Sequence, residues 1–537
     1  MLSTDSDRLL PMGTIIYRCR GTGMFLRCER MEEEEFSLWL RSARMAAFKG
    51  IPWETSQSNA DEEAILSGPK EPVRAGTEAA FAQPSTSPSA VEMTGANESP
   101  SVEEQRIEGG VSHAWRALRH RNFQLFVGGQ SISLIGTWMT RIATGWLVYR
   151  LTRSALLLGT VSFAGQIPTF LLAPFAGVWV DRLNRQKVLL WTQTLAMVQS
   201  LALAGLTLSG RVTISWVLAL SAVQGIVNAF DMPGRQAFLV QMVEDRRDLG
   251  NAIAINSSMV NMARLIGPSL AGMIIAASSE GWCFLIDGIS YMAVIASLLA
   301  MRIHVPAVKR AATSMLHELK EGWTYVSGFV PIRTILLLFA VISLMGMPFV
   351  VLMPIFAARV LHGGPHTFGF LMGAMGTGAL AGALLLAARR SILGLGRKIA
   401  VSGAVFGAGL IGFGLSHNFW LSMGMMLIAG FGMMQGMASS NTIIQTIVSE
   451  GMRGRVMSYY TIAFVGMAPF GSLLAGTMAH WFGAPLTVIL NGAVVLAGAA
   501  WFATRLPAVR KAIRPIYREM GILPVDVASG MTSGGAS

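Results

Sequence analysis

The sequence predicts an all-α membrane protein that crosses a bilayer twelve times. Of its 537 residues, 52% are hydrophobic and only 13% are charged, against about 25% charged residues in a soluble domain. Apolar stretches of about 20 residues, long enough to cross a bilayer core of about 30 Å, recur from Phe123 onward. Lys and Arg are concentrated in alternate connecting segments, as expected of a multi-pass protein.

Residues 1–112 form a polar N-terminal extension that we expect to be disordered. They contain an acidic run, Glu32 to Glu35, and a Pro/Ser/Thr/Ala-rich stretch from Glu71 to Ser101 that cannot build a core. No segment has the charged start, apolar middle and cleavage site of a signal peptide. An alternative is that translation begins later, for example at Met93.

Two groups of six apolar stretches follow, an N-terminal half in 113–303 and a C-terminal half in 332–505. Each stretch has the length and composition of a membrane-spanning helix. The predicted spans lie near 122–148, 154–180, 187–208, 213–237, 250–278, 281–302, 332–360, 366–388, 397–416, 419–446, 456–480 and 482–504.

Residues 304–331 form the linker between the two halves. Apolar side chains recur there at helical spacing among charged neighbours, which predicts an amphipathic helix on the membrane surface. These side chains are Met315, Leu316, Leu319, Trp323 and Val326. Residues 506–537 are expected to form a basic cytoplasmic tail.

The distribution of basic residues predicts the orientation. If the N-terminus is cytoplasmic, inward-facing segments carry 25 Lys and Arg and outward-facing segments carry four. Because inward-facing loops are enriched in Lys and Arg, we expect both termini in the cytoplasm and the chain in the cell (inner) membrane. The same bias explains the net charge of +12 without nucleic acid.

The two halves also resemble each other. A shift of 204 positions aligns residues 241–272 with 445–476 without gaps. Two related six-span halves are the architecture of transporters that rock one half against the other. The six identical pairs are Gln241/Gln445, Gly250/Gly454, Gly267/Gly471, Leu270/Leu474, Ala271/Ala475 and Gly272/Gly476.

The connection between the second and third predicted spans carries the sharpest local motif. It places a glycine four residues before an aspartate and follows the aspartate with basic residues in a tight turn. This pattern resembles the signature loop of the major facilitator superfamily, apart from Asn184 where glycine is usual. Asparagine tolerates a left-handed backbone, so we expect the turn to survive. The residues are Gly177, Asp181, Arg182, Arg185 and Lys187.

This loop is a candidate conformational switch. The carboxylate of Asp181 would stabilise the positive end of a neighbouring helix and pair with an arginine. The family resemblance implies that the helix is the eleventh span, beginning near Gly454, and that Arg235 is the partner. The alternative is a charge cluster that serves only membrane topology.

The fifth predicted span contains Gly267, Pro268 and Gly272, which resemble the fifth-helix motif of drug exporters in the superfamily. That resemblance implies antiport, although Gly and Pro in membrane helices also occur for packing alone. Residues 121–126, 146–154 and 233–237 are similar to the transmembrane secretion effector branch, which includes the enterobactin exporter and macrolide efflux proteins.

Two acids, Asp231 and Asp287, fall within predicted spans, and Arg141 and Arg264 are the bases expected to be buried there. Each charge costs about 2.5–3.5 kcal/mol at a helix centre, so each is a functional candidate. At about 1.5 Å per residue, Arg141 and Asp287 lie at a similar depth. We therefore expect them to pair or to line one outer cavity, with Asp287 as a proton-coupling candidate. The alternative is an ion pair that only fixes packing.

The sequence thus predicts a proton-coupled secondary transporter that exports amphipathic drugs or siderophore-like compounds by alternating access. An uptake carrier or uniporter of the same fold is the first alternative, and a membrane-embedded enzyme or sensor is a remote one. Expected partners are the lipid bilayer, a small-molecule substrate and protons, and the expected functional form is a monomer. No cofactor is expected. His362 and His366 lie in a Gly/Pro turn without a third ligand, so no metal is expected either.

Overall fold

The computed structural model describes residues 17–20, 27–30, 116–243, 245–302, 315–389 and 391–522. Only the backbone is described for the first two stretches and for residues 174, 178, 181, 182, 246 and 315–319. The chain divides into two units, Met1–Glu104 and Gln105–Ser537.

The first unit contains one β-hairpin. Strand β1 (Tyr17–Arg20) pairs antiparallel with β2 (Arg27–Arg30), and the register sets Cys19 opposite Cys28. The hairpin occupies a small part of the extension predicted over residues 1–112, and disorder of that extension stays a prediction. The rest of the predicted extension, to residue 112, lies outside the described residues.

Six long helices make up the first half of the second unit, and they follow the six predicted spans. Polar residues cap two of them: Ser154 accepts a hydrogen bond from the backbone N–H of Leu157, and Asn184 accepts one from that of Lys187. The helices are α1 (Arg121–Thr152), α2 (Ala155–Arg182), α3 (Arg185–Leu208), α4 (Ile214–Met242), α5 (Leu249–Ala277) and α6 (Glu280–Ala300).

A linker helix and the second half follow. The linker helix α7 (Met315–Gly328) forms where the amphipathic pattern predicts it, while residues 303–314 lie outside the described part. The remaining helices are α8 (Val330–Val341), α9 (Phe349–Ile355), α10 (Pro365–Ala387), α11 (Leu395–Leu415), α12 (Phe419–Ile447), α13 (Glu450–Thr461), α14 (Ala468–Phe482) and α15 (Ala484–Glu519).

Two spans of the second half contain π turns. The seventh span runs from α8 through Ile342–Gly346 to α9 and ends in Phe356–Val360, and the eleventh runs from α13 through Ile462–Gly466 to α14. Prolines lie just before or just after these turns, where a missing N–H interrupts the regular hydrogen-bond ladder. Ser343 in one π turn donates a hydrogen bond to the carbonyl oxygen of Phe464 in another. The two turns are therefore tied together.

Eleven helical segments among the described residues are long and apolar enough to cross a membrane. The remaining predicted span, the first (α1), is long enough with 32 residues but is more polar than the others. The helices cover every predicted span, so the prediction of a multi-pass helical membrane protein is confirmed.

Five helix packings recur in the two halves. In the first half α2 packs on α4, α3 on α4 and α6, and α1 on α5 and α6; the corresponding spans of the second half make the same pairs. The halves meet along two main seams, α2 against α14 and α5 against α10. We call the end of the bundle where α1 begins and α15 ends the linker end, and the opposite end the loop end.

The last helix corrects the predicted boundary at residue 505. Helix α15 continues unbroken to Glu519, because apolar residues recur at helical spacing through the basic segment and pack on the second half. Residues 523–537 lie outside the described part. The buried stripe is Leu506, Val509, Ile513 and Tyr517.

Candidate functional site

Two arginines and a tryptophan meet where α1 crosses α5. The crossing is close because Gly267 has no side chain: a Cβ there would lie 2.6 Å from the Cβ of Trp138 and 3.0 Å from the carbonyl oxygen of Ile135. The guanidinium carbon of Arg141 lies 4.5 Å from the centroid of the Trp138 ring, and that of Arg264 lies 5.2 Å from it. One aromatic ring therefore holds two cations by cation–π attraction.

Asp287 of α6 lies in the packed interior of the first half, with 2% of its surface exposed. Its Oδ2 accepts hydrogen bonds from Thr140 Oγ1 (2.8 Å) and Ser200 Oγ (3.1 Å), while Oδ1 has no partner. Gly136 makes room for the carboxyl group, since a Cβ there would lie 2.7 Å from Oδ1. Asp287 thus ties α6 to α1 and α3 through hydroxyl groups.

The expected pairing of Asp287 with Arg141 is wrong. Thr140 faces Asp287, and consecutive residues of an α-helix point about 100° apart. Arg141 is therefore directed away, to the face of α1 that carries Trp138. Because Asp287 is buried, it does not line an open cavity in this conformation.

Asp231 of α4 is buried and fully hydrogen-bonded at the linker end. It forms an ion pair with Arg235, one turn further along the helix, and accepts hydrogen bonds from Thr192 (3.1 Å) and Gln193 (2.6 Å) of α3. Arg235 thus has a carboxylate partner on its own helix. These contacts join α3 to α4, so Asp231 stabilises the packing of the first half.

The signature loop is a short break between α2 and α3. Asn184 has φ −68° and ψ 110°, an extended conformation, so it acts as a helix cap and does not use the left-handed backbone. Arg185 donates to the carbonyl oxygen of Ala237 on α4 (3.4 Å), and Lys187 is exposed. The side chains of Asp181 and Arg182 lie outside the described part, so the latch remains a prediction.

Pro268 and Gly272 lie on the seam between α5 and α10. A Cβ at Gly272 would lie 2.8 Å from the carbonyl oxygen of Pro365 and 3.1 Å from the Cα of Gly369. Conversely, a Cβ at Gly369 would lie 2.5 Å from the carbonyl oxygen of Pro268. The fifth-helix motif is therefore a place where the two halves touch backbone to backbone; its role in antiport stays a prediction.

The other seam has the same construction. A Cβ at Gly476 of α14 would lie 2.8 Å from the carbonyl oxygen of Ala155 and 2.9 Å from the Cα of Gly159. Phe470 of α14 also packs edge-on against Phe163 and Phe170 of α2. Both glycine contacts lie within seven residues of the loop end of their helices.

Three glycines at the linker end, by contrast, make no close contact. A Cβ at Gly177 of α2, Gly250 of α5 or Gly454 of α13 would have no described atom within 4 Å. Helix α2 packs on α14, in the loop-end part of the eleventh span. The glycine-to-glycine contacts of the two seams therefore lie toward the loop end, and these three glycines of the linker end make no such contact with described atoms.

Sequence reasoning missed Trp138 and the glycines 159 and 369. A tryptophan in an apolar span carries no local signal of the cations beside it. The sequence did single out the glycines that these two contact, since Gly272 and Gly476 are an identical pair of the internal repeat. No group of three metal-ligating side chains occurs among the described residues; His362 lies at the turn before α10 and His366 in the first turn of that helix.

Comparisons with known proteins place the chain in one family. A family model described as transmembrane secretion effector matches residues 112–531. The chain is 27% identical over 369 residues to the staphyloferrin A transporter of Staphylococcus aureus, covering 68% of this chain and 92% of that protein. It is 26% identical over 397 residues to the multidrug efflux pump Tap of Mycobacterium tuberculosis, covering 70% and 91%.

Solved structures share the fold. A bacterial homologue of the human lysosomal transporter Spinster matches with a TM-score of 0.56 and 13% identity, over 76% of this chain and 99% of that one. The family match covers well over half of the sequence and all twelve helical spans. This chain is therefore a multi-pass membrane transporter, and not an enzyme, that belongs to the transmembrane secretion effector family in the efflux branch of the major facilitator superfamily.

Proposed function

We propose that this protein exports amphipathic small molecules across a bacterial cell membrane by alternating access coupled to proton antiport. The observation that carries the proposal is the difference between the two ends of the bundle. Gly159, Gly272, Gly369 and Gly476 bring the halves into backbone contact at the loop end, whereas Gly177 and its counterparts stand free at the linker end. Two related halves joined at one end form a cavity open at the other.

The predicted orientation relates this opening to the direction of transport. Lys and Arg are concentrated at the linker end, which supports a cytoplasmic location for that end and for both termini. A conformation open to the cytoplasm is the one in which an exporter loads its substrate. Rocking the halves about the seams would close the linker end and release the substrate on the other side.

The relatives support the direction and the class of substrate. Their names describe a siderophore transporter and a drug efflux pump. The aromatic contact of Phe163, Phe170 and Phe470 lies between the halves, where it would offer apolar surface to a substrate. Small amphipathic molecules fit both observations.

Asp287 is the candidate for proton coupling. It is a buried acid that has hydroxyl partners and no cation among the described residues, with one oxygen unsatisfied. A membrane-embedded carboxyl group in that setting is costly when charged. A rearrangement of α1 that admits water to it would let it exchange a proton in one conformation and keep it in the other.

Export is tested with everted membrane vesicles that contain the full chain. The vesicle lumen is acidified, and the accumulation of rhodamine B, which carries a carboxylate, is followed by fluorescence. We expect accumulation that depends on the protein and collapses when nigericin removes the pH gradient. Accumulation only in right-side-out vesicles would identify an uptake carrier, and accumulation insensitive to nigericin would exclude proton antiport.

Alternating access is tested by distance measurements between spin labels. One label pair is placed at the linker end with Gly177→Cys and Gly454→Cys, and a matched pair at the loop end with Arg211→Cys and His417→Cys; all four positions have room for a label or are exposed. We expect two populations for each pair, with the linker-end distance shortening as the loop-end distance lengthens. A single fixed distance for both pairs under all pH and substrate conditions would refute the mechanism.

A further inference from the structure

Arg141 and Arg264 bring two positive charges to one place inside the membrane. Both guanidinium carbons lie close to the Trp138 centroid, at 4.5 and 5.2 Å, so the two charges are no more than about 10 Å apart. Like charges at that separation repel each other, and they do so more strongly away from bulk water. Cation–π attraction to Trp138 offsets only part of that cost.

Neither arginine has an acidic partner among the described residues. The two acids of α6 have other partners. Asp287 accepts hydrogen bonds from Thr140 and Ser200, and Glu280 forms an ion pair with Arg150 through two hydrogen bonds. The Nε of Arg264 is buried and has no hydrogen-bond partner in the part of the chain that the structure describes. A buried guanidinium donor without an acceptor is costly and calls for an anion.

The two helices that carry the arginine pair, α1 and α5, both contact the second half of the protein beside these residues. Gly145, one turn beyond Arg141 on the same side of α1, already meets that half, since a Cβ there would lie 3.7 Å from both Pro354 and Phe368. Arg264 lies on α5, which packs against α10. A Cβ at Gly376 of α10 would lie 3.2 Å from the carbonyl oxygen of Arg264. Arg141 is exposed although it lies well inside its helix. The pair is thus beside the space between the halves that opens toward the linker end.

We propose that Arg141 and Arg264, which both contact the ring of Trp138, bind the carboxylate of an exported substrate. The substrates are then amphipathic organic anions. The inference rests on the proposed function and adds the charge of the substrate. A guanidinium group matches a carboxylate by two parallel N–H···O bonds, which gives geometric selectivity as well as affinity. Aromatic and apolar neighbours at the seams accept the rest of the molecule.

The test compares two probes of nearly the same shape, one with a charged carboxylate and one with a neutral amide in its place. Naphthalene-2-carboxylate and naphthalene-2-carboxamide are titrated by calorimetry into the full chain in lipid nanodiscs at pH 7.5. Charge-assisted hydrogen bonds predict that the carboxylate binds about tenfold tighter or better than the amide. Arg141→Gln and Arg264→Gln should each reduce the preference, and the double variant should abolish it.

The control is another arginine stacked on a tryptophan. Arg505 lies 6.0 Å from the ring centroid of Trp501 on α15, outside the seams, so Arg505→Gln should keep the full preference. Arg264→Lys keeps the charge and loses the planar fork, and should bind the carboxylate with intermediate affinity. This variant provides a readout if a glutamine variant fails to fold.

Equal binding of the two probes to the unmodified protein overturns the proposal, as does a preference that survives in the double variant or a lack of carboxylate binding at millimolar concentration. These outcomes are separate from those of the vesicle assay. Dye export without a carboxylate preference rejects the anion site alone. A carboxylate preference in a protein that takes up dye rejects export alone.

Discussion

Gly272 of α5 and Gly476 of α14 are 204 residues apart and hold equivalent places in the two halves. Each lies against a glycine of the opposite half, Gly272 against Gly369 and Gly476 against Gly159. The internal repeat therefore does more than duplicate a bundle. It places one backbone-to-backbone contact on each seam, at the same end of the molecule.

Alanine at either of these two positions should weaken the loop-end contact. The new Cβ would lie 2.8 Å from a carbonyl oxygen, Pro365 for Gly272→Ala and Ala155 for Gly476→Ala, and backbone atoms cannot move aside cheaply. We expect a loss of about 1–3 kcal/mol, seen as a lower thermal unfolding midpoint in detergent.

Gly205→Ala in α3 is the matched control, because a Cβ there would meet no described atom within 4 Å. That substitution should leave the midpoint unchanged or raise it, since alanine favours a helix by about 1 kcal/mol over glycine. Equal midpoints for all three variants would show that the seams tolerate a methyl group.

The same shift of 204 residues relates Asp287 of α6 to Asn491 of α15. Asn491 is buried, and neither of its amide atoms has a hydrogen-bond partner among the residues that the structure describes. Because asparagine is tolerated at the equivalent place, Asp287→Asn should fold, with its carbonyl oxygen still accepting from Thr140 and Ser200. We expect efflux in everted vesicles to fall to background and to lose its dependence on the pH gradient.

Efflux is measured at lumenal pH 6, 7 and 8 for this variant and for Asn491→Ala, in which the pH dependence of the unmodified protein should persist. If Asp287→Asn still transports in proportion to the pH gradient, Asp287 has a packing role only.

The bilayer explains how much of the fold was predictable. A span must be helical and about 20 residues long, so the apolar runs set the twelve segments within a few residues. The apolar runs do not determine how each helix is rotated about its own axis. Thr140 and Arg141 are neighbours in sequence and equal in depth, yet only Thr140 reaches Asp287.

The partners of the charged residues were predictable only in part. Arg235 pairs within its own helix with Asp231, because i and i+4 lie on one face of a helix. Trp138 gathers two arginines only because Gly267 allows α5 to approach α1. The first pair follows a local spacing within one helix. The second arrangement depends on the crossing of two particular helices, which no local sequence pattern encodes.

A second stability prediction concerns the loop end. Arg150 of α1 binds the carboxylate of Glu280 on α6 with two hydrogen bonds, 2.7 and 3.1 Å long, and Glu280 is buried. Arg150→Ala leaves that carboxylate unpaired. Because Arg150 is half exposed, water screens part of the loss, and we expect a cost on the order of 1–2 kcal/mol, below that of a fully buried pair.

The double variant Arg150→Ala/Glu280→Gln should recover part of this stability, since the unpaired charge is removed. Arg211→Ala, at the exposed turn between α3 and α4, should have no effect on the unfolding midpoint. A double variant less stable than Arg150→Ala would mean that Glu280 contributes mainly through contacts other than the ion pair.

The last prediction concerns the basic end of the chain. Ile513 of α15 is 6% exposed and packs with Leu506, Val509 and Tyr517 on the second half, whereas Lys511 is exposed on the other face of the helix. Ile513→Asp would bury an unpaired charge and remove apolar contact. We expect a loss of about 2–5 kcal/mol, measured as a lower unfolding midpoint and faster trypsin cleavage after residue 505. Lys511→Asp makes the same aspartate on the exposed face and should leave both measurements nearly unchanged. Equal effects of the two substitutions would mean that this segment is a free tail; a large difference would make it a structural part of the second half, because only a packed helix distinguishes its two faces.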